Sequence, residues 1–463
     1  MTERRSNPPS GGQRPRRQNP NGANGQRRTN PNGQRRSPEE IRRLRRKREL
    51  ELKRRRKKKI LSIIIAIIII VVIVVVIVLI ANGSKNNSGN SGSSTETAET
   101  DVTDETEETT EEVHAEVNLI SVGDVLMHTP LLNYASNGDG TYDFNNIFAN
   151  TKDLISSADI AVCNQETPID PTLDPDGGAS FIFNTPTEIA DAEINAGFDV
   201  ILQSSNHSYD MGADGIIHTA EYWKTRSSEA LMIGMNTSQE ERDTIPTIEK
   251  NGITFALLNY TYGLNGFELP EDQQYLTTII SDENHDLIVS DIEKAEEMAD
   301  FVIIFPHWGT EDVVGDTTEF QDYWAEEFTK AGADLIIGTH PHVCEKIEWV
   351  EAGGNKALCY YSLGNFASNQ QEVPEVLGGM ARVKIVKDGD ETYIDEEGTG
   401  VTPVVTHNVN MGDFTNQVTV YPLSEYNNDL AYQTDIYNQY DSSMSKETLD
   451  ALADEIFGDW IIN

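Results

Sequence analysis

Cysteine is scarce in this sequence, with only Cys163, Cys344 and Cys359 among 463 residues. Three is an odd number and the spacings are irregular, which argues against a disulfide framework. The sequence has no Cys-x-x-Cys pair, so a zinc site built from paired thiolates is excluded. Cys163 and Cys359 lie in apolar, strand-like runs, and we predict that both are buried free thiols.

Basic residues are almost absent beyond residue 59. Residues 1–59 carry 22 Lys and Arg against 5 Asp and Glu, whereas residues 60–463 carry 14 against 71. The net charges of the two parts are therefore +17 and −57, and the whole-chain value of −40 hides this division. Because like charges repel, nucleic acid is not an expected partner of the large acidic part.

Polar residues are nearly absent from the 22 residues 60–81, where Ser62 is the only polar side chain. As a helix this run spans roughly 33 Å, enough to cross the core of a bilayer. A signal-peptide core is usually shorter, and as a helix of a soluble domain this run would have no polar face to show to water. We therefore predict one transmembrane helix. The basic block at 53–59 predicts a cytoplasmic N-terminus and an extracellular remainder at the cell membrane.

The segments on either side of this run have few apolar residues. Residues 1–59 are rich in Asn, Pro, Gly and Arg and predict a disordered tail. Its basic residues beside the membrane favour contact with anionic lipid headgroups over nucleic acid. Residues 82–115 are rich in Gly, Ser and Asn and then in acidic residues, and they predict a disordered linker that holds a domain away from the membrane.

The rest of the sequence alternates short apolar runs with amphipathic stretches, which predicts an extracellular α/β domain over residues 116–410. The predicted strands are 117–125, 160–164, 200–204, 255–260, 301–305, 335–338 and 357–362. The predicted helices are 144–157, 187–196, 212–226, 286–299 and 318–331. Runs at 379–386, 392–397 and 400–407 have no helices between them and predict an antiparallel finish to the sheet. Residues 411–463 form a C-terminal extension of uncertain role, weakly helical at 446–461.

Polar side chains follow most of the predicted strands. The motifs are Ser121-Val122-Gly123-Asp124, Asn164-Gln165-Glu166, Asn206-His207-Ser208-Tyr209-Asp210, His307-Trp308-Gly309-Thr310-Glu311, Gly338-Thr339-His340-Pro341-His342 and Ser362-Leu363-Gly364-Asn365-Phe366. Each motif alone has an ordinary structural explanation, such as a turn or a helix cap. As a series they indicate a functional site, because open α/β sheets place their sites at the carboxyl ends of the strands.

The residue types in these motifs point to metal chemistry. Imidazole nitrogens mixed with carboxylate and amide oxygens suit divalent transition metals such as Mn²⁺, Fe²⁺ or Zn²⁺. A carboxylate between two ligand groups can bridge two ions about 3.5 to 4 Å apart, an arrangement that clamps a phosphate and activates a water. His340 and His342 are two residues apart, so on an extended strand they would face the same metal cluster. We therefore predict a metal cluster, which such a carboxylate could extend to two ions.

Taken together and in this order, the six motifs resemble the CapA family of capsule and poly-γ-glutamate biosynthesis proteins, over roughly residues 117–366. The resemblance implies a branch of the calcineurin-like metallophosphoesterases. Their fold is a two-sheet sandwich flanked by helices (αββα) with a dinuclear metal site at the strand ends. We expect that α/β fold here, preceded by the transmembrane helix.

The resemblance also implies a role for individual residues. The metal ligands that it implies are Asp124, Glu166, Asn206, His307, His340 and His342. Glu166 would occupy the bridging position, where the superfamily usually has an aspartate. His207 would protonate the leaving oxygen, and Asp210 would orient its imidazole.

Three residues depart from that pattern or leave it open. Leu126 stands where the first motif of the superfamily has a histidine. His128 could substitute for that histidine only if the strand has ended before it. Glu311, four residues after His307, either touches the site itself or holds an imidazole in its tautomer.

Two functions follow from these features. The first is a membrane-anchored extracellular hydrolase that acts on a phosphoester or an envelope polymer during capsule or poly-γ-glutamate biosynthesis. The second is a non-catalytic subunit that binds polymer or stabilises a membrane synthase or export complex. The expected partners are the membrane, anionic lipids at the basic tail and subunits of such a complex, without nucleic acid. An open position at the metal site distinguishes the two, since an enzyme needs room for water and substrate.

Overall fold

The computed structural model describes residues 114–178 and 182–462. The predicted tail at 1–59, the predicted transmembrane helix at 60–81 and residues 82–113 of the predicted linker lie outside the described residues. Residues 114 and 115, which were also assigned to the linker, already belong to the first strand. Within the described part of the chain, no helix is both long and apolar enough to cross a membrane.

The strands form two large sheets and one small hairpin. In chain order they are β1 (His114–Val125), β2 (Ile160–Gln165), β3 (Asp176–Gly177), β4 (Phe183–Asn184), β5 (Val200–Leu202), β6 (Leu231–Ile233), β7 (Thr247–Lys250), β8 (Ile253–Thr261), β9 (Phe301–His307), β10 (Leu335–Ile337), β11 (Ile347–Ala352), β12 (Asn355–Tyr360), β13 (Asn365–Ala367), β14 (Leu377–Asp388), β15 (Glu391–Gly412) and β16 (Thr415–Pro422). The first sheet has the order β16-β15-β14-β1-β2-β5-β6, with β13 also paired to β1. The second has the order β11-β12-β10-β9-β8-β7, and β3 pairs with β4.

Helices connect many of these strands. They are α1 (Thr129–Ala135), α2 (Asn145–Phe148), α3 (Lys152–Ile155), α4 (Glu188–Ala196), α5 (Gly212–Lys224), α6 (Gln239–Asp243), α7 (His285–Met298), α8 (Glu319–Ala331), α9 (Val373–Val376), α10 (Asn428–Ala431) and α11 (Lys446–Phe457). The long helix predicted at 144–157 is instead two single turns, α2 and α3. Asn150 lies between the two turns, and asparagine favours turns over the helix interior because its side chain can compete with the backbone for hydrogen bonds.

The two sheets pack face to face, with helices on their outer faces. Val117 and Leu119 of β1 belong to a hydrophobic core that also contains Phe255 of β8 and Ile303 of β9, strands of the second sheet. Ile120, one residue along β1, belongs to a second core formed with α1, α2 and α4. A third core joins the other face of the second sheet to α7 and α8. Successive strand residues thus face opposite layers, and the predicted mixed α/β fold with two sheets is confirmed.

The parallel pairing of neighbouring strands determines where the candidate site lies. In the first sheet β1, β2, β5 and β6 are parallel neighbours, and in the second β8, β9, β10 and β12 are parallel neighbours. The carboxyl ends of parallel neighbours lie at the same edge of a sheet, so the residues after these strands are brought together. The last strands confirm the predicted antiparallel finish, since β14 pairs antiparallel with β1 and β15, and β15 pairs antiparallel with β16.

The C-terminal residues complete this fold. β16 closes one edge of the first sheet, and the backbone N–H of Ile462 donates to Val401 of β15 at 2.9 Å. Leu449 and Phe457 of α11 pack into the core between the sheets. The extension of uncertain role therefore contributes a strand and part of the hydrophobic core. The three cysteines are free and buried, as predicted for two of them.

Candidate metal centre

The six predicted ligands lie together, at the ends of strands from both sheets. They are Asp124 (in β1), Glu166 (after β2), Asn206 (after β5), His307 (in β9), and His340 and His342 (after β10). All six side chains are buried. Five separate stretches of sequence thus converge on one place, as the series of motifs predicts.

Glu166 is the central residue of this cluster. Its Oε1 lies 3.7 Å from Nε2 of His307 and 3.8 Å from Nε2 of His342. Two triads of potential ligands share it, Asp124–Glu166–His342 and Glu166–His307–His340, and the ligand atoms of each triad lie within 4.8 Å of one another. Glu166 is therefore placed where one carboxylate can serve two groups of ligands.

Three ligand atoms of the centre, on Glu166 and His340, are left without protein partners among the described residues. Both carboxylate oxygens of Glu166 and Nδ1 of His340 are buried and have no hydrogen-bond partner among the described residues. Burying a polar atom without a partner costs about 1–3 kcal/mol, so such atoms are rare in native proteins unless something else binds them. Carboxylate oxygens and imidazole nitrogens are the atoms that divalent transition metals bind, and the residues present fit such an ion.

Burial and neighbouring charge set the protonation of the cluster. Burial raises the pKa of Glu166 to about 8. Burial lowers the pKa of His307 and of His340 well below the usual value, which keeps them in the neutral state that binds a cation. Burial also opposes charge on His342, but the nearby carboxylates of Glu166 and Asp124 outweigh it and raise its pKa to about 10. A bound cation would take the place of the protons that the raised pKa values leave on Glu166 and on His342.

Asp124 is held by a close approach of two backbone segments. A Cβ on Gly123 would lie 1.9 Å from the carbonyl oxygen of Gly364, so only glycine fits there. The backbone N–H of Asp124 donates to that same carbonyl at 2.9 Å. Its carboxylate accepts from Nδ2 of Asn164 at 2.8 Å and lies 3.1 Å from Nδ1 of His342. Gly123, the glycine beside Asp124 in the sequence, therefore allows the two backbone segments to approach each other closely.

His340 and His342 reach the cluster by a route that differs from the prediction. β10 ends at Ile337, and both histidines lie in a loop with left-handed backbone, at φ 105° and 60°. The expectation that two residues on an extended strand face the same way is therefore wrong for this pair. Left-handed backbone at a non-glycine residue costs about 1–3 kcal/mol and is concentrated at functional sites. Asn365 holds the loop, because its Nδ2 donates to the carbonyl of His342 at 3.1 Å.

His207 and Asp210 lie beside the cluster as a pair. Nδ1 of His207 lies 2.9 Å from Oδ2 of Asp210, which also accepts the backbone N–H of Phe183 at 2.8 Å. Nε2 of His207 points the other way and lies 3.9 Å from Oε1 of Glu166. Burial lowers the pKa of His207, but the hydrogen bond with Asp210 and the charge of Glu166 outweigh it and raise the pKa overall. The imidazole therefore faces the cluster through Nε2 and can carry a proton there.

The structure also locates His128 and Glu311, whose roles the sequence did not decide. β1 ends at Val125, and His128 is the N-cap residue of α1. Nδ1 of His128 accepts the backbone N–H of Asn369 at 3.2 Å, and burial lowers its pKa to about 4. His128 belongs to none of the ligand groups found among the described residues, whereas the exposed Glu311 forms one with His340 and His342. Glu311 thus lies at the solvent side of the cluster.

Sequence reasoning missed several residues that hold the ligands. Thr339 Oγ1 lies 3.0 Å from Nδ1 of His307, and the ring of Tyr262 lies over His340 with centroids 4.5 Å apart. Asn265 contacts Asn206. Thr339 belongs to one of the six motifs, but Tyr262 and Asn265 follow a strand after which no polar motif was predicted. Their sequence Tyr262-Gly263-Leu264-Asn265-Gly266, directly after an apolar run, was the available signal.

Comparison with known proteins supports the resemblance carried by the six motifs. A family model described as bacterial capsule synthesis protein PGA_cap matches residues 118–370, more than half of the chain. The chain belongs to this capsule synthesis family. The match includes all six candidate ligands together with His207 and Asp210, so the site described above lies within the part of the chain that defines the family.

Two curated relatives of the capsule synthesis family are similar to this chain. The PGA biosynthesis protein CapA of Bacillus subtilis (strain 168) is 29% identical over 217 residues, which are 45% of this chain and 51% of the relative. The capsule biosynthesis protein CapA of Bacillus anthracis is 24% identical over 307 residues, 64% of this chain and 68% of the relative. The chain thus spans about half the length of the first relative.

Solved structures give weaker similarities. A putative 5'-nucleotidase from Staphylococcus aureus in complex with alpha-ketoglutarate has a TM-score of 0.38 at 14% identity, covering 73% of this chain and 58% of that one. The calcineurin-like phosphoesterase YfkN from Bacillus subtilis has a TM-score of 0.34 at 11% identity, covering 73% and 99%. These scores are low, and the architecture given above rests on the strand pairing and hydrophobic cores of this chain.

Proposed function

We propose that this protein is a membrane-anchored extracellular metal-dependent hydrolase that works in the biosynthesis of capsule, poly-γ-glutamate or a related envelope polymer. The observation that carries the proposal is the buried Glu166, which two ligand triads share and whose two oxygens have no partner among the described residues. Membership of the capsule synthesis family supports the biological setting. The apolar run at 60–81 and the basic block before it support the anchor and its orientation.

The two triads define which residues would hold metal. Asp124 and His342 would hold one divalent ion, and His307, His340 and Asn206 the other, with Glu166 shared between them. The mixture of nitrogen and oxygen donors suits Mn²⁺, Fe²⁺ or Zn²⁺. Two such ions supply Lewis-acid polarisation of an anionic substrate group and a nucleophilic water at neutral pH.

His207 supplies the proton in this proposal. Asp210 binds Nδ1 and fixes the ring, which leaves Nε2 directed at the cluster. Burial lowers the pKa of His207, but the hydrogen bond with Asp210 outweighs it, and the raised pKa favours the protonated imidazole. When the bond to the leaving group breaks, the developing charge on the leaving oxygen would accept this proton. The imidazole is 10% exposed, so a substrate group bound at the cluster can reach it.

Charge limits the form of the substrate. Residues 60–463 carry a net charge of −57, and one of these acidic residues, the exposed Glu311, lies at the edge of the cluster. Extended contact between this surface and a polyanion is opposed by like-charge repulsion. We therefore propose that the site takes a single anionic group, such as one phosphoester or one chain end.

Metal content and hydrolysis of model phosphodiesters, measured together on the purified chain, test the proposal. We expect about two transition-metal ions per chain and turnover that is lost in Asp124→Ala and His340→Ala. His285→Ala is the matched control, since His285 lies beside Glu327 away from the cluster. Metal without turnover on any phosphoester would favour the non-catalytic subunit instead. A wild-type chain without bound metal would contradict both the cofactor and the mechanism.

A further inference from the structure

The loop that follows β8 lies against the ligands from the second sheet. The backbone N–H of Tyr262 donates to the carbonyl of His307 at 2.8 Å, which ties the start of the loop to a ligand-bearing strand. Asn265 has left-handed backbone, with φ 49°, and Gly266 follows with φ 87°. Asparagine tolerates this conformation better than most residues. The turn directs the Asn265 side chain towards Asn206.

The side-chain amide of Asn206 has an oxygen, Oδ1, and a nitrogen, Nδ2, which differ chemically. Its Oδ1 lies 2.9 Å from Nε2 of His307, inside the cluster, and its Nδ2 donates to Oδ1 of Asn265 at 3.1 Å. Only the oxygen of an amide can bind a cation, because the NH₂ group has donors and no lone pair to offer. With the amide turned over, Nδ2 would face the cluster and the site would lose a ligand atom.

We infer that Asn265 is a positioning residue that fixes the amide of Asn206 with its oxygen towards the metal centre. This inference rests on the proposed function, because it presupposes a cation at the cluster. Asn265 Oδ1 accepts from Nδ2 of Asn206 and would face Oδ1 in the opposite orientation, where two oxygens would repel. Nδ2 of Asn265 also lies 3.4 Å from Nδ1 of His207, so the same side chain contacts the neighbouring proton donor.

Metal affinity of Asn265→Gly and Asn265→Asp, measured by calorimetry and by metal analysis after dialysis, tests this inference. Asn265→Gly removes the side chain without straining the left-handed backbone. We expect it to weaken metal binding roughly 10- to 100-fold, the usual loss when a partner of a ligand is removed. Asn265→Asp keeps an oxygen that accepts from Asn206 and should retain most of the wild-type affinity.

Asn251→Gly is the matched control. Asn251 also has left-handed backbone, with φ 52°, and its Nδ2 donates to the carbonyl of Glu116 at 2.8 Å, away from the cluster. We expect it to leave metal affinity unchanged, which separates the loss of a positioning contact from the loss of any turn asparagine.

The outcomes separate this inference from the proposed function. Wild-type affinity in Asn265→Gly would overturn the inference while leaving the metal centre intact. Equal losses in Asn265→Gly and Asn265→Asp would also overturn it, because an oxygen at this position would then be insufficient. A wild-type chain that binds no divalent metal would overturn both. Weaker binding in Asn265→Gly with rescue by aspartate would support the inference even if no phosphoester is hydrolysed.

Discussion

Two regions of this domain differ in whether their buried polar side chains have hydrogen-bond partners. At the metal centre, both oxygens of Glu166 and Nδ1 of His340 have no hydrogen-bond partner among the described residues. In the antiparallel C-terminal region, Nδ1 of His407 lies 3.0 Å from the hydroxyl of Tyr426, and Nδ2 of Asn416 donates to Asn408 at 2.7 Å. Because an unpaired buried polar group is destabilising, several unpaired atoms on neighbouring metal-binding side chains indicate a ligand, whereas satisfied groups indicate structure.

The largest expected effect comes from replacing the shared carboxylate. Glu166→Gln keeps the shape of the side chain but removes the charge that both triads need. We expect loss of metal from both, and a fall in turnover beyond the roughly 10- to 100-fold typical of residues that only orient a ligand. Metal analysis and phosphodiester hydrolysis measure the two effects.

Glu193→Gln is the matched control for that substitution. Burial raises the pKa of Glu193 to about 8 as well, and one of its oxygens also lacks a hydrogen-bond partner among the described residues. Its neighbour, however, is the thiol of Cys163, 3.7 Å away, and no ligand group includes it. We expect unchanged metal content. If the two variants behaved alike, a buried acid without partners would not identify the metal centre.

The second-largest effect is expected from His207→Ala, which separates proton transfer from metal binding. His207→Ala should reduce turnover about 10²- to 10⁴-fold, the usual contribution of a general acid, with metal content nearly unchanged. Asp210→Asn should cause a smaller loss, because the imidazole keeps a hydrogen-bond partner at Nδ1. Loss of metal from His207→Ala would show that this histidine is a ligand and that the division of roles is incorrect.

The convergence of the ligands could be predicted from sequence because it depends on one local rule. Asp124, Glu166 and His307 each end or follow a strand, and parallel strands place their carboxyl ends together. The route of His340 and His342 could not be predicted, because it depends on left-handed backbone that close contacts with distant segments hold in place. The positions of most parallel strands were accessible from periodicity, although β6 was missed, but the backbone of the loops between them was not.

The contacts that the positioning residues make could not be predicted, for a related reason. Asn265 contacts Asn206 from 59 residues away, and Asn365 contacts His342 from 23 residues away. Neither separation corresponds to the period of a helix or a strand, so no local pattern connects the partners. The sandwich of two sheets creates these pairs, since it brings the ends of strands from both sheets to one place.

The smallest expected effect concerns the satisfied histidine of the C-terminal region. Burial lowers the pKa of His407 to about 4, below the value of about 6.5 for an unfolded chain. Between these values the unfolded state binds the proton more readily than the folded state. The contribution of His407 to stability is therefore complete above about pH 6.5 and is lost as the pH falls towards 4, by up to about 3 kcal/mol.

His407→Gln should remove this part of the acid destabilisation, because glutamine does not titrate and can still contact Tyr426. Urea unfolding of the wild-type and His407→Gln chains at pH 7.5, 5.5 and 4.5 gives the slope of the free energy of unfolding against pH for each chain. A chelator is present so that metal release does not contribute to either slope. The buried His128, whose pKa burial also lowers to about 4, is common to both chains, so only the difference between them reports His407. Equal slopes would mean that His407 binds a proton as readily in the folded state as in the unfolded chain, and that the C-terminal region does not hold this imidazole in the neutral state inferred from its burial and hydrogen bond.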